Sequence, residues 1–136
     1  MFEAFEHTAD LGLRVRAETL DELFAEAGRA LFSTLVEDLA TVAPGERVEI
    51  SVAGTDREYL LFDWLKELLY RFDAEHLLFS RFEVQVSDAG LKGAVWGEKL
   101  DWTRHVLRNE VKAITYHGLK VEREGDGWLA EFIVDI

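Results

Sequence analysis

The last stretch of the chain alternates without a break: Trp128, Ala130, Phe132 and Val134 take one side, and Leu129, Glu131, Ile133 and Asp135 the other. A period of two puts successive side chains on opposite faces of a strand. Chain ends usually fray, but this pattern reaches Ile136, so the segment is expected to be strapped into a sheet. The same period recurs in Leu11, Leu13, Val15 and Ala17, in Val48, Ile50 and Val52, and in Phe82, Val84 and Val86. Phe2–Glu6, Leu91–Trp96, Val111–His117 and Leu119–Glu124 also read as strands, with Asp88-Ala89-Gly90 and Gly125-Asp126-Gly127 as turns and Gly118 as a bulge or bend. Gly97–Arg108 reads as a surface loop.

Two segments break this rhythm. Thr19 with Glu22, and Thr55 with Glu58, are capping-box pairs, in which a hydroxyl and a carboxylate satisfy backbone N–H groups at a helix start. After the first, Leu20, Leu23, Phe24, Ala27, Leu31 and Leu35 share a helical face; the helix should end near Glu37, before the breaker Ala43-Pro44-Gly45. After the second, Leu61, Leu65, Leu68 and Phe72 form a stripe widened by Leu60, Trp64 and Leu69, predicting a largely buried helix to about Ala74. Two helices and several mostly antiparallel strands give an α+β fold: one layered domain over residues 1–136, with both helices packed on one side of a sheet.

Charge narrows the function. The 136 residues carry 15 Lys and Arg against 27 Asp and Glu, a formal net charge of −12 with neutral His. Phosphate backbones are gripped by clustered cations, so direct nucleic-acid binding is not expected, and Arg14, Arg16, Arg81, Lys99 and Arg104 are too dispersed in sequence to form a binding stripe. Basic protein surfaces and divalent cations remain as partners. The chain has no Cys, which excludes disulfides, thiolate catalysis and Cys-based metal sites. The opening MFEAFEH has neither a basic start nor an apolar run, and no apolar stretch approaches the length needed to span a bilayer. Cytoplasmic residence and no membrane contact are the expectations.

Few residues carry chemistry. His7, His76, His105 and His117 form no HExxH or similar pair, so a zinc hydrolase site is not expected. There is no nucleophile elbow and no Gly-rich phosphate loop. His76 falls at a helix end, where it suits the helix dipole, and His105 is expected to be solvated in its loop. His7-Thr8-Ala9-Asp10 precedes a strand, where such residues often only form an Asx or ST turn. The functional alternative makes Asp10 a metal ligand, with His7 or Thr8 supporting it. Asp135 leaves the last strand as Asp10 enters an early one. If those strands are antiparallel neighbours, the two carboxylates and the α-carboxylate of Ile136 converge at one sheet edge. Oxygen donors of this kind suit a hard cation such as Ca²⁺, and two converging carboxylates repel without one. Lys112, Tyr116 and His117 either belong to an amphipathic strand, where a Lys can snorkel, or form part of a functional surface. Trp64 is expected in the core; Trp96 and Trp102 are either packing anchors or a contact patch.

Five separated segments together resemble one family. Phe5-Glu6-His7-Thr8-Ala9-Asp10-Leu11-Gly12 is similar to the opening signature of the archeases. The resemblance continues through Asp63-Trp64-Leu65-Lys66-Glu67-Leu68-Leu69-Tyr70, Ala94-Val95-Trp96-Gly97-Glu98, Val111-Lys112-Ala113-Ile114-Thr115-Tyr116-His117-Gly118-Leu119 and Ile133-Val134-Asp135-Ile136. It implies a non-catalytic activator of an RtcB-type tRNA-splicing ligase, which joins RNA ends carrying a 2′,3′-cyclic phosphate (or 3′-phosphate) and a 5′-hydroxyl. In this family the archease promotes guanylylation of the ligase and lets it turn over repeatedly. The family's cation, Ca²⁺ or another divalent ion, maps onto Asp10, Asp135 and Ile136, and Glu110 and Lys112 map onto a strand expected to face the partner. A chaperone or modulator of RNA-modifying enzymes, and more distantly a metal-dependent hydrolase, are the competing readings.

Overall fold

The structure is a computed structural model describing residues 1–7 and 10–136, residues 6 and 7 through their backbone alone. Among the described residues, seven strands and two α-helices follow the order β1 (Phe2–His7), β2 (Asp10–Ala17), α1 (Leu20–Leu35), β3 (Glu46–Ala53), α2 (Arg57–Glu75), β4 (Leu77–Ser87), β5 (Gly90–Lys99), β6 (Ala113–Glu124) and β7 (Gly127–Asp135). A single 3₁₀ turn at Leu39–Thr41, capped by Asp38, follows α1.

Every pairing is antiparallel, but the strands form two sheets rather than one: β1-β2-β7-β6 and β3-β5-β4. Hydrophobic alternation specifies which face of a strand is buried but not its neighbour, so this division is not readable from the pattern. In the four-stranded sheet, Leu13, Val15, Ala130, Phe132 and Val134 are buried, and α1 packs against β2 and β4. The opposite face carries a charge ladder. Arg14 Nε donates to Glu131 at 2.5 Å, Arg16 Nε donates to Glu124 at 2.7 Å, and Glu3 accepts from both arginines. Hydrogen bonds from Arg14 and then Arg16 hold the Glu3 carboxyl below its usual range.

The first helix starts where expected: Thr19 Oγ1 accepts from Glu22 N–H at 3.1 Å. The second is capped one residue later than the Thr55 pattern suggests. Asp56 is the N-cap, and its carboxylate accepts from the N–H groups of Glu58 and Tyr59. Both residues are good caps, and Asp56 engages two donors where a Thr hydroxyl commonly engages one. Helix α2 ends at His76, which adopts a left-handed conformation with φ 57° and donates its N–H to Phe72 O. Trp64 ties the layers together. It is fully buried, its Nε1–H donates to Phe24 O on α1 at 3.0 Å, and its ring lies against Gly93 of β5, where a Cβ would come within 2.8 Å.

The segment expected to be a loose loop is firmly held. β5 continues to Lys99, and His105 is buried at 1% exposure, not solvated. Its Nδ1 accepts from Asp101 N–H at 2.9 Å, so Nε2 carries the proton and faces Glu98 Oε2 at 2.9 Å. Glu98 also accepts from Ala43 N–H and Arg104. Burial alone would raise the Glu98 carboxyl; the donors from Ala43, Arg104 and His105 outweigh it and hold the group below the usual range. A depressed carboxylate contributes stability above its unfolded-state pKa, about 4.3, that is lost as pH falls through the lower folded value. Glu98→Gln is therefore expected to flatten the loss of stability between pH 6 and pH 3, measured by urea melts at each pH. A slope identical to the parent would contradict this role.

Candidate functional site

The antiparallel partnership of β2 with β7 sets Asp10 directly opposite Asp135. Residues in that relation share a sheet face, with Cβ atoms about 4.5–5.5 Å apart. Asp10 has the same parity on β2 as Arg14, so the pair lies on the charged face, away from the helices. Both residues are half-buried, and Ile136 follows, 38% exposed. On the other side of β7, Ala113 of β6 pairs with Asp135, and Lys112 N–H donates to Asp135 O at 2.7 Å. His7 pairs with Asp10 through β1.

The topology thus brings together five of the residues singled out in the sequence: Asp10, Asp135, Ile136 and the backbones of His7 and Lys112. Thr8 and the side chain of His7 lie outside the described residues. Glu110 and Lys112 do not sit on a strand as the pattern suggested. β6 begins at Ala113, and both residues are exposed in the segment leading into it. That segment buries Val111 and crosses from the α1 side to the end of β7, with Arg108 N–H bonded to Leu35 O and Lys112 N–H to Asp135 O. It is anchored at both ends without a continuous ladder.

The donor set fits a hard divalent cation in kind. Two opposed carboxylates and the C-terminal oxygens of Ile136 offer oxygen ligands only, and Ca²⁺ takes six to eight such ligands with carbonyls and water. Among the described residues, no three His, Cys, Asp or Glu side chains cluster closely enough to hold an ion. Any ion held at this edge would therefore draw its protein ligands from the Asp pair and backbone oxygens.

The bulge expected at Gly118 is present. Gly118 has φ 75°, in the left-handed region that favours glycine, and pairing with β7 skips from Thr115 to Lys120. The arginines seen as dispersed in sequence are mostly engaged. Trp96 lies between Arg47 and Arg81, with guanidinium carbons 5.6 and 4.4 Å from its ring centroid. Trp102 is 72% exposed. Sequence reasoning missed two features: the His105–Glu98 latch, and a stacked pair of exposed tyrosines, Tyr59 on α2 and Tyr116 on β6. Tyr59 lies outside the apolar stripe of its helix, which was the available signal.

Comparison with known proteins agrees with this architecture. The model of the Archease protein family matches residues 2–136. The archease of Methanopyrus kandleri is 47% identical over 139 residues, covering 99% of each chain. That of Pyrococcus furiosus is 41% identical, covering 99% of this chain and 98% of the relative. The solution structure of Methanobacterium thermoautotrophicum protein 1598 superposes with a TM-score of 0.84 at 34% identity, over 99% of this chain and 98% of that one. The crystal structure of a Thermotoga maritima protein, described as an archease and possible chaperone, shares the fold with a TM-score of 0.68 at 24% identity, over 100% of this chain and 98% of that one. With a family model spanning nearly the whole sequence and relatives above 40% identity along their full length, the chain belongs to the archease family.

Proposed function

We propose that this protein is a non-catalytic activator of an RtcB-type RNA ligase, acting in the cytoplasm to promote ligase guanylylation and repeated turnover in tRNA splicing or RNA repair. The observation that carries the reading is the register of Asp10 against Asp135 in a chain of the archease family. The family resemblance assigns these two positions and Ile136 to a cation, and the fold sets the two Asp residues face to face. A bound Ca²⁺ or other divalent ion would supply positive charge that cancels their repulsion and joins the ends of β2 and β7. Lys112 and Glu110 flank this edge and are the proposed partner surface. The net charge of −12 supports a division of labour in which a basic ligase holds the RNA and the acidic activator docks on the ligase.

The test is multiple-turnover ligation with the cognate ligase at saturating GTP and metal. Adding this protein is expected to raise product well above one equivalent per ligase. Product that stays near one equivalent contradicts the proposal. A chaperone, the possible role given for the Thermotoga maritima protein, would instead suppress aggregation of unfolded proteins without raising ligase turnover.

A further inference from the structure

Tyr59 and Tyr116 are 55% and 41% exposed, yet their rings lie 4.7 Å apart and within 19° of parallel. The fold builds this pair from two distant elements. Tyr59 sits in the first turn of α2. Tyr116 opens the part of β6 that skips pairing with β7, and an irregularity of this kind re-aims a side chain. Phe62, on the next turn of α2, meets Tyr116 edge-on at 5.7 Å. The platform faces the helix side of the sheet, opposite to the Asp10–Asp135 pair.

Several half-buried rings, including Phe62 beside the pair, are covered by this molecule's own cations, whereas among the described residues the exposed Tyr70 and Trp102 are not. Arg14 lies over Phe5, Lys66 over Phe62, Arg47 and Arg81 over Trp96, and Arg57 and Arg123 over Trp128. Among the described residues, no Lys or Arg lies over Tyr59 or Tyr116. The surroundings are nonetheless those a cation prefers. Asp56 and Glu58 flank the pair, and partial loss of water together with Tyr59, Asp56 and Glu58 holds the Tyr116 phenol above its usual range. A π-face beside carboxylates attracts ammonium and guanidinium groups. A second copy of this chain, at net charge −12, would be repelled.

We propose that the stacked Tyr59–Tyr116 pair is a docking seat for an arginine or lysine side chain presented by a basic protein partner. Identifying that partner as the ligase rests on the function proposed above; the cation seat does not.

The experiment has two arms. In the first, the isotope-labelled full chain is titrated with an arginine hexapeptide at low salt and followed by NMR. The Tyr59 and Tyr116 ring resonances are expected to move together, and Tyr59→Ala to weaken binding about fivefold, within the range of one cation–π contact. Tyr116→Phe, which keeps the ring, should bind like the parent. Shifts confined to other residues, equal affinity in Tyr59→Ala, or dimerisation of the free chain through these rings would overturn the proposal. Tyr59 lies on an exposed helix face, so its removal should leave the fold intact, as circular dichroism will report. In the second arm, Tyr59→Ala is expected to raise the concentration giving half-maximal ligase stimulation about tenfold without changing the maximum. An unchanged half-maximal concentration overturns docking of the ligase on this seat. A parent protein that gives no stimulation refutes the ligase reading alone, because the peptide arm reads the seat independently.

Discussion

Trp64→Ala is expected to lower folding stability by about 3–5 kcal/mol, a large part of the roughly 5–15 kcal/mol a domain commonly has. Trp64 is fully buried where α1, α2 and β5 meet. Removing its indole empties a volume bounded by two helices and a sheet, which cannot all move inward together. It also deletes the hydrogen bond from Nε1 to the Phe24 carbonyl. Gly93 sharpens the effect, since the absence of a side chain there lets the ring sit against the strand, and alanine at position 64 leaves that surface uncovered. Urea denaturation should show the midpoint falling with little change in slope. Trp102→Ala is the internal control: that ring is 72% exposed, and a change within about 0.5 kcal/mol is expected. Equal losses at the two positions would contradict the packing described.

The second large effect is expected at the end of the four-stranded sheet. On the proposed reading, a divalent ion binds the folded chain at Asp10 and Asp135 and stabilises it by mass action, about 2.7 kcal/mol at a hundredfold excess over the dissociation constant. For a domain of this size that is a rise in melting temperature on the order of 10 °C. Asp135→Asn should abolish the calcium-dependent rise. It should also raise the melting temperature in chelator, because the charge facing Asp10 is gone. Opposite signs with and without metal distinguish a cation site from a merely structural Asp. A calcium-dependent rise that survives in Asp135→Asn would contradict it.

Much of this arrangement was legible in the residues. The unbroken alternation to Ile136 predicted a sheet strand there, and β7 runs through Asp135. Asp10 at a strand entry and Asp135 at a strand exit could meet only if their strands were antiparallel neighbours, and the β2–β7 register sets them opposite each other. Gly118 marked its bulge, and Trp64 its place in the core. The sheet division was not legible, because strand order depends on contacts distant in sequence. His105 was misread for a related reason. Its partners are Glu98 and the Asp101 backbone, and no pattern in the loop signals that a polar residue will fold inward to satisfy them. The segment around Glu110 and Lys112 carries strand-like alternation, yet pairing begins only at Ala113; burial of Val111, the Asn109 amide donating to Thr34 O and single backbone hydrogen bonds at its ends hold it. The Tyr59–Tyr116 stack joins a helix turn to a bulged strand, a meeting that only the tertiary fold defines.

On the proposed function, the carboxylates at the end of β2 and β7 are what this protein brings to the ligase. The direct measurement is ligated product per ligase with saturating GTP and metal, comparing the parent protein with Asp135→Asn at equal, saturating concentration. Many turnovers with the parent and a fall to the level of the ligase alone with the variant are expected. Full stimulation by a folded Asp135→Asn would contradict the role proposed for this carboxylate pair.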